Sequence, residues 1–251
     1  MEREHWTSPN RLYRLGWRLV RTYVSLLMEF DVHFQTPLPP GPKIFVANHP
    51  SAIDPFLIHL LSQEEINVLL TEKAFRVRGF GAFLRHVREI CVPLETPAEA
   101  LVEAQNRLER GVSVAIFIEG HISPGENAFL PPRTGAARLA LATSVPVVPV
   151  GIYLRCDRRI NLRSRISGDE SEALWYFYGP YFMTVGAAIH WHGDPQDRSL
   201  VRKVSHQMMD QIKILAWESA ARFQSRPACH PLKRLLLLIN GLIRKQVISR
   251  L

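Results

Sequence analysis

Short apolar runs alternate with helical segments along most of this chain, and that alternation narrows the folds open to it. The apolar runs lie at residues 43–47 and 68–70, around Ile90, and near Val114 and Val147. The helical segments lie at residues 56–62, 80–87, 97–110 and 199–219. Such alternation predicts an α/β fold with a mixed, largely parallel sheet flanked by helices. Active sites of such sheets lie at the carboxyl ends of the strands, so polar residues directly after the apolar runs are the first candidates for function.

The first apolar run is followed by a histidine and a carboxylate five positions apart. The segment reads Asn48-His49-Pro50-Ser51-Ala52-Ile53-Asp54-Pro55. Because His49 and Asp54 each precede a proline, helical angles are disfavoured at both, and a turn can bring Asp54 back to His49. A carboxylate that holds one imidazole nitrogen as N–H leaves the other free to accept a proton near neutral pH. The alternative is structural, with the histidine capping a turn and the aspartate capping the next helix.

Further segments follow downstream. Residues 88–94 contain a strand-like run, and residues 115–124 are a short apolar run that ends in a Glu-Gly turn. Residues 129–142 are a loop with prolines and a glycine that leads into a helix, and residues 145–152, which include Pro149, are another apolar run. In this order, and together with the histidine segment, they resemble the four motif blocks of the glycerolipid acyltransferase family. That family acylates glycerol 3-phosphate, lysophosphatidic acid and related lyso-lipids.

The resemblance implies a mechanism. His49 would act as general base on an acceptor hydroxyl that attacks the thioester of acyl-CoA or acyl-carrier-protein, while Asp54 orients the imidazole and stabilises the imidazolium. Neither an acyl-enzyme nor a cofactor is required, because the acyl thioester is a co-substrate. Cys91 lies in an apolar run and is interpreted as a buried structural thiol rather than a nucleophile. No spacing typical of metal ligands is present.

The resemblance also implies a set of substrate-binding residues. They are Asn48, Ser51, Arg85, Glu119, Gly120, His121, Arg133 and Pro149. Glu119 and Gly120 match the third block, where they help to build the acceptor side of the site. A helix cap or an ion pair is the structural alternative for Glu119.

Two arginines of the phosphate-acylating relatives are missing. Leu94 stands where the second block carries an arginine, and His121-Ile122 replaces Thr-Arg in the third. Guanidinium groups bind phosphate through paired, charge-assisted hydrogen bonds, so their loss predicts a lyso-lipid or sugar acceptor without a phosphate monoester. Basic residues that could substitute are Lys73, Arg85, Arg88 and Arg133.

The charge pattern favours an anionic membrane surface as a partner. The 251 residues carry a formal net charge of +8, which attracts anionic partners. Nucleic acid is not favoured, because no zinc spacing, RNA-binding aromatic signature or helix-turn-helix pattern accompanies the charge. Residues 10–30 place arginines on one helical stripe and apolar residues on another, which is typical of an interfacial helix. An ordinary helix docked on the core is the alternative.

We expect three parts in the chain: an N-terminal amphipathic membrane-associating helix in residues 1–36, an acyltransferase α/β domain in 37–226, and a basic amphipathic C-terminal helix in 227–251. Neither terminal segment has the 20 or so apolar residues that a membrane-spanning helix needs. The apolar positions near the N-terminus are interrupted by arginines, unlike a secretory signal. Three widely spaced cysteines favour a reducing compartment. These features predict a peripheral or monotopic membrane protein on the cytoplasmic face.

Two features stay open at this level. Five arginines fall within residues 155–165, and they form either a solvated loop or a contact for phosphate or lipid headgroups. His190 and His192 are interpreted as facing one side of a strand. The function predicted from all these residues is a membrane-associated O-acyltransferase. The alternatives are a catalytically silent membrane-binding protein and an acyl-thioester hydrolase.

Overall fold

The computed structural model describes residues 11–126, 128–166 and 169–226. A seven-stranded sheet with the order β1-β9-β6-β2-β5-β3-β4 forms the centre of this part of the chain. Its strands are β1 (Met28–Phe34), β2 (Ile44–Ala47), β3 (Ile66–Thr71), β4 (Ile90–Val92), β5 (Ser113–Phe117), β6 (Val147–Leu154) and β9 (Gly179–Val185). A separate hairpin consists of β7 (Ile160–Ile166) and β8 (Asp169–Trp175).

The sheet is mixed and largely parallel, as predicted. Strands β2 to β6 run in one direction, whereas β9 is antiparallel to β6 and β1 is parallel to β9. The strands predicted within residues 43–150 are present. Strand β1 was missed because its residues continue the helical pattern of the preceding segment. Within the predicted N-terminal part, the structure therefore divides residues 11–34 between a helix and an edge strand of the sheet.

Helices cover both faces of the sheet. They are α1 (Arg11–Leu27), α2 (Asp54–Leu57), α3 (Glu72–Arg76), α4 (Phe80–His86), α5 (Pro97–Glu109), α6 (Gly135–Thr143) and α7 (Arg198–Ser225). The helix predicted at residues 56–62 begins earlier, at Asp54, and passes at Ile58–Leu61 into a 3-10 turn. The prediction of a strand around His190 and His192 is wrong, because only Ile189 forms a bridge there, although the two rings do stack on one side at 6.4 Å between centroids.

One apolar layer covers each face of the sheet. One contains Phe45, Phe117 and Val150 together with α2 and the 3-10 turn, and the other contains Val46, Ile116 and the packed faces of α5, α6 and α7. Helix α7 approaches β6 so closely at Gly151 that a Cβ there would lie 2.0 Å from the Ala216 nitrogen. A glycine at this point therefore permits the helix to cover the strand that adjoins β2.

The N-terminal helix α1 is docked on the protein through one face. Tyr13 and Val24 are buried, and the Trp17 indole N–H donates to the His59 carbonyl at 3.1 Å. The opposite face presents arginines beside a stripe of leucines that are more than half exposed: Leu15, Leu19 and Leu26. The helix runs into β1 without an intervening residue and ends at Leu27 rather than at the predicted Phe30. Within the described ranges, no helix has the length and apolar character needed to cross a bilayer. The predicted C-terminal helix in residues 227–251 lies outside the described residues.

Candidate active site

The predicted pair of His49 and Asp54 is formed in the turn that follows β2. The imidazole Nδ1 lies 2.9 Å from Asp54 Oδ2. Since an ionised carboxylate only accepts hydrogen bonds, Nδ1 carries the proton and Nε2 holds the free lone pair. Asp54 is fully buried, whereas the His49 side chain keeps 15% of its surface exposed. The imidazole is thus the part of the pair that solvent or a substrate can reach.

Three donors hold the Asp54 carboxylate. Oδ2 accepts the His49 Nδ1–H and the Ser51 backbone N–H, the latter at 2.8 Å. Oδ1 accepts the Tyr181 hydroxyl at 2.7 Å. Burial, and then the charge of Asp54, raise the pKa of Tyr181 well above its ordinary value, so the phenol remains a donor. These bonds let a charged carboxylate exist in a buried site without a cationic partner.

Glu119 fixes the backbone around the histidine. Its Oε1 accepts the His49 backbone N–H at 2.9 Å and the Ser123 hydroxyl at 2.7 Å, and its Oε2 accepts the Leu130 N–H at 2.7 Å. The carboxylate is only 2% exposed. These hydrogen bonds link three segments of the site. Within the described residues, Glu119 is therefore neither a helix cap nor a member of an ion pair, the two structural alternatives considered for it. The His49 ring is further set by stacking on Phe117, at 4.3 Å between centroids.

Asn48 and Ser51, both predicted to bind substrate, are engaged by the backbone. The Asn48 amide donates to the Ile152 carbonyl at 2.9 Å and accepts the Ile152 N–H at 2.7 Å, so it links the end of β2 to β6. The Ser51 hydroxyl donates to the Leu174 carbonyl on β8 at 3.1 Å. These buried side chains hold the turn that carries His49 in place, and their binding of substrate stays a prediction.

Gly120, His121 and Arg133 form an exposed group beside the Glu119 turn. Gly120 has φ of +68°, and a Cβ on it would lie 2.5 Å from Arg133 Nε. Arg133 donates to His121 Nε2 at 2.9 Å. The structure thus brings these three predicted residues together, with one guanidinium lying across the glycine. A positive φ and this close contact both favour glycine at position 120.

Pro149 and Arg85 do not join the group. Pro149 is buried within β6 opposite Val46, and its ring lies near Gly186 on the face covered by α7. The His49 ring stacks on Phe117 in the other apolar layer, and substrate binding by Pro149 stays a prediction. Arg85 is exposed on α4 and donates to the Phe75 carbonyl at 3.3 Å. Among the contacts of the described residues, none joins Arg85 to His49.

The arginine-rich segment at residues 155–165 connects two turns of the site. It contains a 3-10 turn (Cys156–Arg158) and β7 rather than an open loop. Arg159 donates to the carbonyls of Pro50 at 3.1 Å, Ser123 at 2.8 Å and Pro124 at 2.8 Å. One guanidinium thereby ties the histidine turn to the turn after Glu119.

Cys91 is partly buried, and burial is the main cause that raises the pKa of its thiol. A thiol with a raised pKa is a poor nucleophile near neutral pH, in keeping with the structural role predicted for it. In the part of the chain that the structure describes, no group of three or more potential ligands could hold a metal ion.

Sequence reasoning missed two residues of this site. Tyr181 lies on β9, 127 positions after Asp54, and in the sequence it is one of several large residues in an apolar strand. Arg159 was noticed only as a member of the arginine cluster. The abundance of arginine was the available signal for Arg159, whereas no local pattern indicates that Tyr181 reaches Asp54.

The fold and this geometry define a class: an α/β protein that holds a histidine–carboxylate pair at the carboxyl ends of its parallel strands. Residues 29–153 match the family model described as Acyltransferase, and the chain belongs to that family. The family prediction made from the motif blocks is therefore confirmed.

Comparison with solved structures agrees on the fold. The chain is similar to the crystal structure of the 1-acyl-sn-glycerophosphate (LPA) acyltransferase, PlsC, from Thermotoga maritima, with a TM-score of 0.59 and 21% sequence identity. The match covers 87% of this chain and 80% of that one. No curated protein sequence matches the chain.

Proposed function

We propose that this protein transfers a fatty acyl group from an acyl-CoA or acyl-carrier-protein thioester to a hydroxyl of a lyso-lipid or related glycerolipid or glycolipid acceptor. The observation that carries the proposal is the His49–Asp54 pair, with a buried carboxylate and a partly exposed imidazole, in a member of the acyltransferase family. The similar structure of PlsC, a 1-acyl-sn-glycerophosphate (LPA) acyltransferase, supports a lipid acceptor.

The chemistry follows from the orientation of the imidazole. Asp54 fixes the proton on Nδ1, so Nε2 takes the proton of the acceptor hydroxyl as its oxygen attacks the thioester carbonyl. The carboxylate stabilises the imidazolium that forms. Collapse of the tetrahedral intermediate breaks the carbon–sulfur bond, and the leaving thiolate takes the proton back from Nε2. The products are an ester and a free thiol, and His49 returns to its starting state.

The acceptor proposed here lacks a phosphate monoester. Leu94 is 60% exposed where phosphate-acylating relatives carry an arginine, and Ile122 replaces the other. Arg133 lies beside Gly120 in the Glu119 turn and already donates to His121. Two missing charge-assisted bonds of ~1.5–3 kcal/mol each would cost a phosphate acceptor roughly a hundredfold or more in efficiency.

The helix α1 supports action at a lipid surface, and we infer that this is the anionic cytoplasmic leaflet, which attracts basic segments. Its exposed face combines the leucine stripe with four arginines: Arg11, Arg14, Arg18 and Arg21. Apolar side chains bordered by cations are the pattern that inserts into a headgroup region of anionic lipid. Docking of the other face on the core leaves this surface available, so the two interpretations of the helix are compatible.

The proposal is tested by mixing the purified protein with acyl-CoA or acyl-carrier-protein and a panel of lyso-acceptors in anionic vesicles. We expect thiol release that depends on the acceptor, with the acylated lipid identified by mass spectrometry. Free fatty acid released without any acceptor would instead identify a thioester hydrolase. Vesicle binding without thiol release from either donor would identify a silent membrane-binding protein.

A further inference from the structure

Among the described residues, Tyr181 is the one outside the turn of Asp54 that donates a hydrogen bond to its carboxylate. The turn itself supplies His49 and Ser51 as donors, and both bind Oδ2. Oδ1 accepts its described hydrogen bond from the Tyr181 hydroxyl, at 2.7 Å. Tyr181 lies on β9, outside the residues 29–153 that match the family model.

The position of Tyr181 is set by packing on all sides. It is fully buried, faces Leu154 in the antiparallel pairing of β6 with β9, and stacks on Phe30 of β1 at 5.9 Å between centroids. A side chain so enclosed has no surface with which to touch a substrate. Its effect on the reaction must therefore pass through Asp54.

From this geometry we propose that Tyr181 is a positioning residue for acyl transfer: it fixes the plane of the Asp54 carboxylate and shares its negative charge, which keeps His49 available as a base. This inference rests on the proposed function. Without the hydroxyl, Oδ1 would be a buried acceptor with no donor, free to rotate about the side-chain bond. More negative charge would then face His49, and the pair would hold its proton more tightly.

The other ionisable groups around the pair act through the backbone. Glu119, after β5, accepts the His49 N–H, and Arg159, before β7, donates to the Pro50 carbonyl. Tyr176 lies behind Tyr181, at 6.4 Å between ring centroids, and donates to the Pro180 carbonyl rather than to Asp54. Tyr181 is thus the ionisable side chain whose removal changes the hydrogen bonds of the carboxylate without disturbing the backbone of the turn.

The experiment compares Tyr181→Phe with Tyr176→Phe. Both tyrosines are fully buried and lose the same hydroxyl, but only one of them contacts Asp54. The first measurement is an NMR titration of the His49 ring in the protein without substrates, with the signal assigned by its loss in His49→Ala. We expect Tyr181→Phe to raise the midpoint of the titration by about one pH unit, since a charge-assisted hydrogen bond is lost. Tyr176→Phe should leave the midpoint at the wild-type value.

The second measurement is the pH dependence of acyl transfer. For Tyr181→Phe we expect the acid limb of kcat/KM to move to higher pH and kcat to fall about tenfold, with KM for both substrates unchanged because the residue touches neither. A midpoint within about 0.3 unit of wild type, or an equal shift in Tyr176→Phe, would overturn the proposal. Absence of acyl transfer in the wild type would refute the proposed function alone, because the titration does not depend on turnover.

A further variant keeps the test decisive if Tyr181→Phe does not fold. Site-specific placement of 3-fluorotyrosine at position 181 retains the ring and makes the hydroxyl a stronger donor. The His49 midpoint should then move in the opposite direction, to lower pH, because more of the carboxylate charge is shared with the phenol. No movement in this folded variant would also overturn the proposal.

Discussion

Replacement of Asp54 by asparagine is the most informative change to the site, because the structure fixes how the amide must lie. Oδ2 of Asp54 accepts two donors, the Ser51 N–H and the His49 Nδ1–H, and an NH2 group there would face both of them. The amide nitrogen must therefore occupy the Oδ1 position, where the Tyr181 hydroxyl can rotate and accept. Asp54→Asn should keep the ring orientation of His49 and lose only the charge.

The cost of that lost charge can be worked out. Two unit charges about 4 Å apart attract by ~4 kcal/mol at an effective dielectric constant of about 20. The interaction exists only once the imidazolium forms, so its loss raises the barrier to the chemical step. Since about 1.36 kcal/mol corresponds to tenfold in rate, we expect kcat to fall roughly a thousandfold.

The assay is acceptor-dependent thiol release from the acyl thioester, with His49→Ala setting the floor. Asp157→Asn is the matched control, because that carboxylate is 58% exposed and pairs with Arg155 at the surface. It should leave kcat unchanged. A kcat for Asp54→Asn within about tenfold of wild type would show that less than ~1.4 kcal/mol of the barrier depends on this charge, and the role of Asp54 in stabilising the imidazolium would be refuted.

Four further predictions follow from the same structure. His49→Ala should lower acyl transfer by ~10²–10⁴ while the protein stays folded; turnover within about threefold of wild type would remove His49 from the mechanism. Charge reversal of Arg11, Arg14, Arg18 and Arg21 should weaken binding to anionic vesicles by ~1 kcal/mol per cation. Binding that changes neither with the charge reversal nor with salt concentration would indicate that α1 serves only as a helix docked on the core. In direct competition, a lyso-lipid or glycolipid hydroxyl should be preferred to lysophosphatidic acid as the acceptor. The opposite preference would contradict this prediction, and its loss in Arg133→Gln but not in the exposed control Arg163→Gln would assign phosphate binding to Arg133. Burial raises the pKa of Tyr176 to about 12, above the pKa near 10 that it has in the unfolded chain. The stability that the neutral hydroxyl contributes is therefore complete below pH of about 10 and is lost as pH rises to about 12. A free energy of unfolding that stays constant over that alkaline range would contradict this account.

Local sequence was sufficient for the parts of the site that lie within one turn. The two prolines predicted a turn between His49 and Asp54, and the structure shows the resulting contact at 2.9 Å. Helical angles were wrongly disfavoured at Asp54, because α2 begins at that residue. Glu119 was placed correctly after its strand, but its three hydrogen bonds reach segments that are close only in the folded chain. Tyr181 could not be found in this way, since its contact depends on the antiparallel register of β9 on β6.

Two residues predicted to bind substrate are buried in the frame of the site. Asn48 and Pro149 lie in motif blocks that mark an active site, and a motif does not distinguish a side chain that meets substrate from one that builds the frame. The Asn48 amide is satisfied by Ile152, and Pro149 is enclosed between strands. Strand β1 was missed for a different reason, because Met28 and Phe30 fit the period of the preceding helix and only pairing with β9 decides their conformation.

The direct passage from α1 into β1 has a mechanical consequence. With no linker between Leu27 and Met28, and with Tyr13 and Trp17 fastening the helix to the body, the helix and the sheet turn as one rigid object. A lipid surface that captured the arginine and leucine face of α1 would therefore also fix the tilt and height of His49 above the bilayer. Substrate would then reach His49 by lateral diffusion in the plane of the membrane. The angle of approach would be set by how α1 lies on the bilayer.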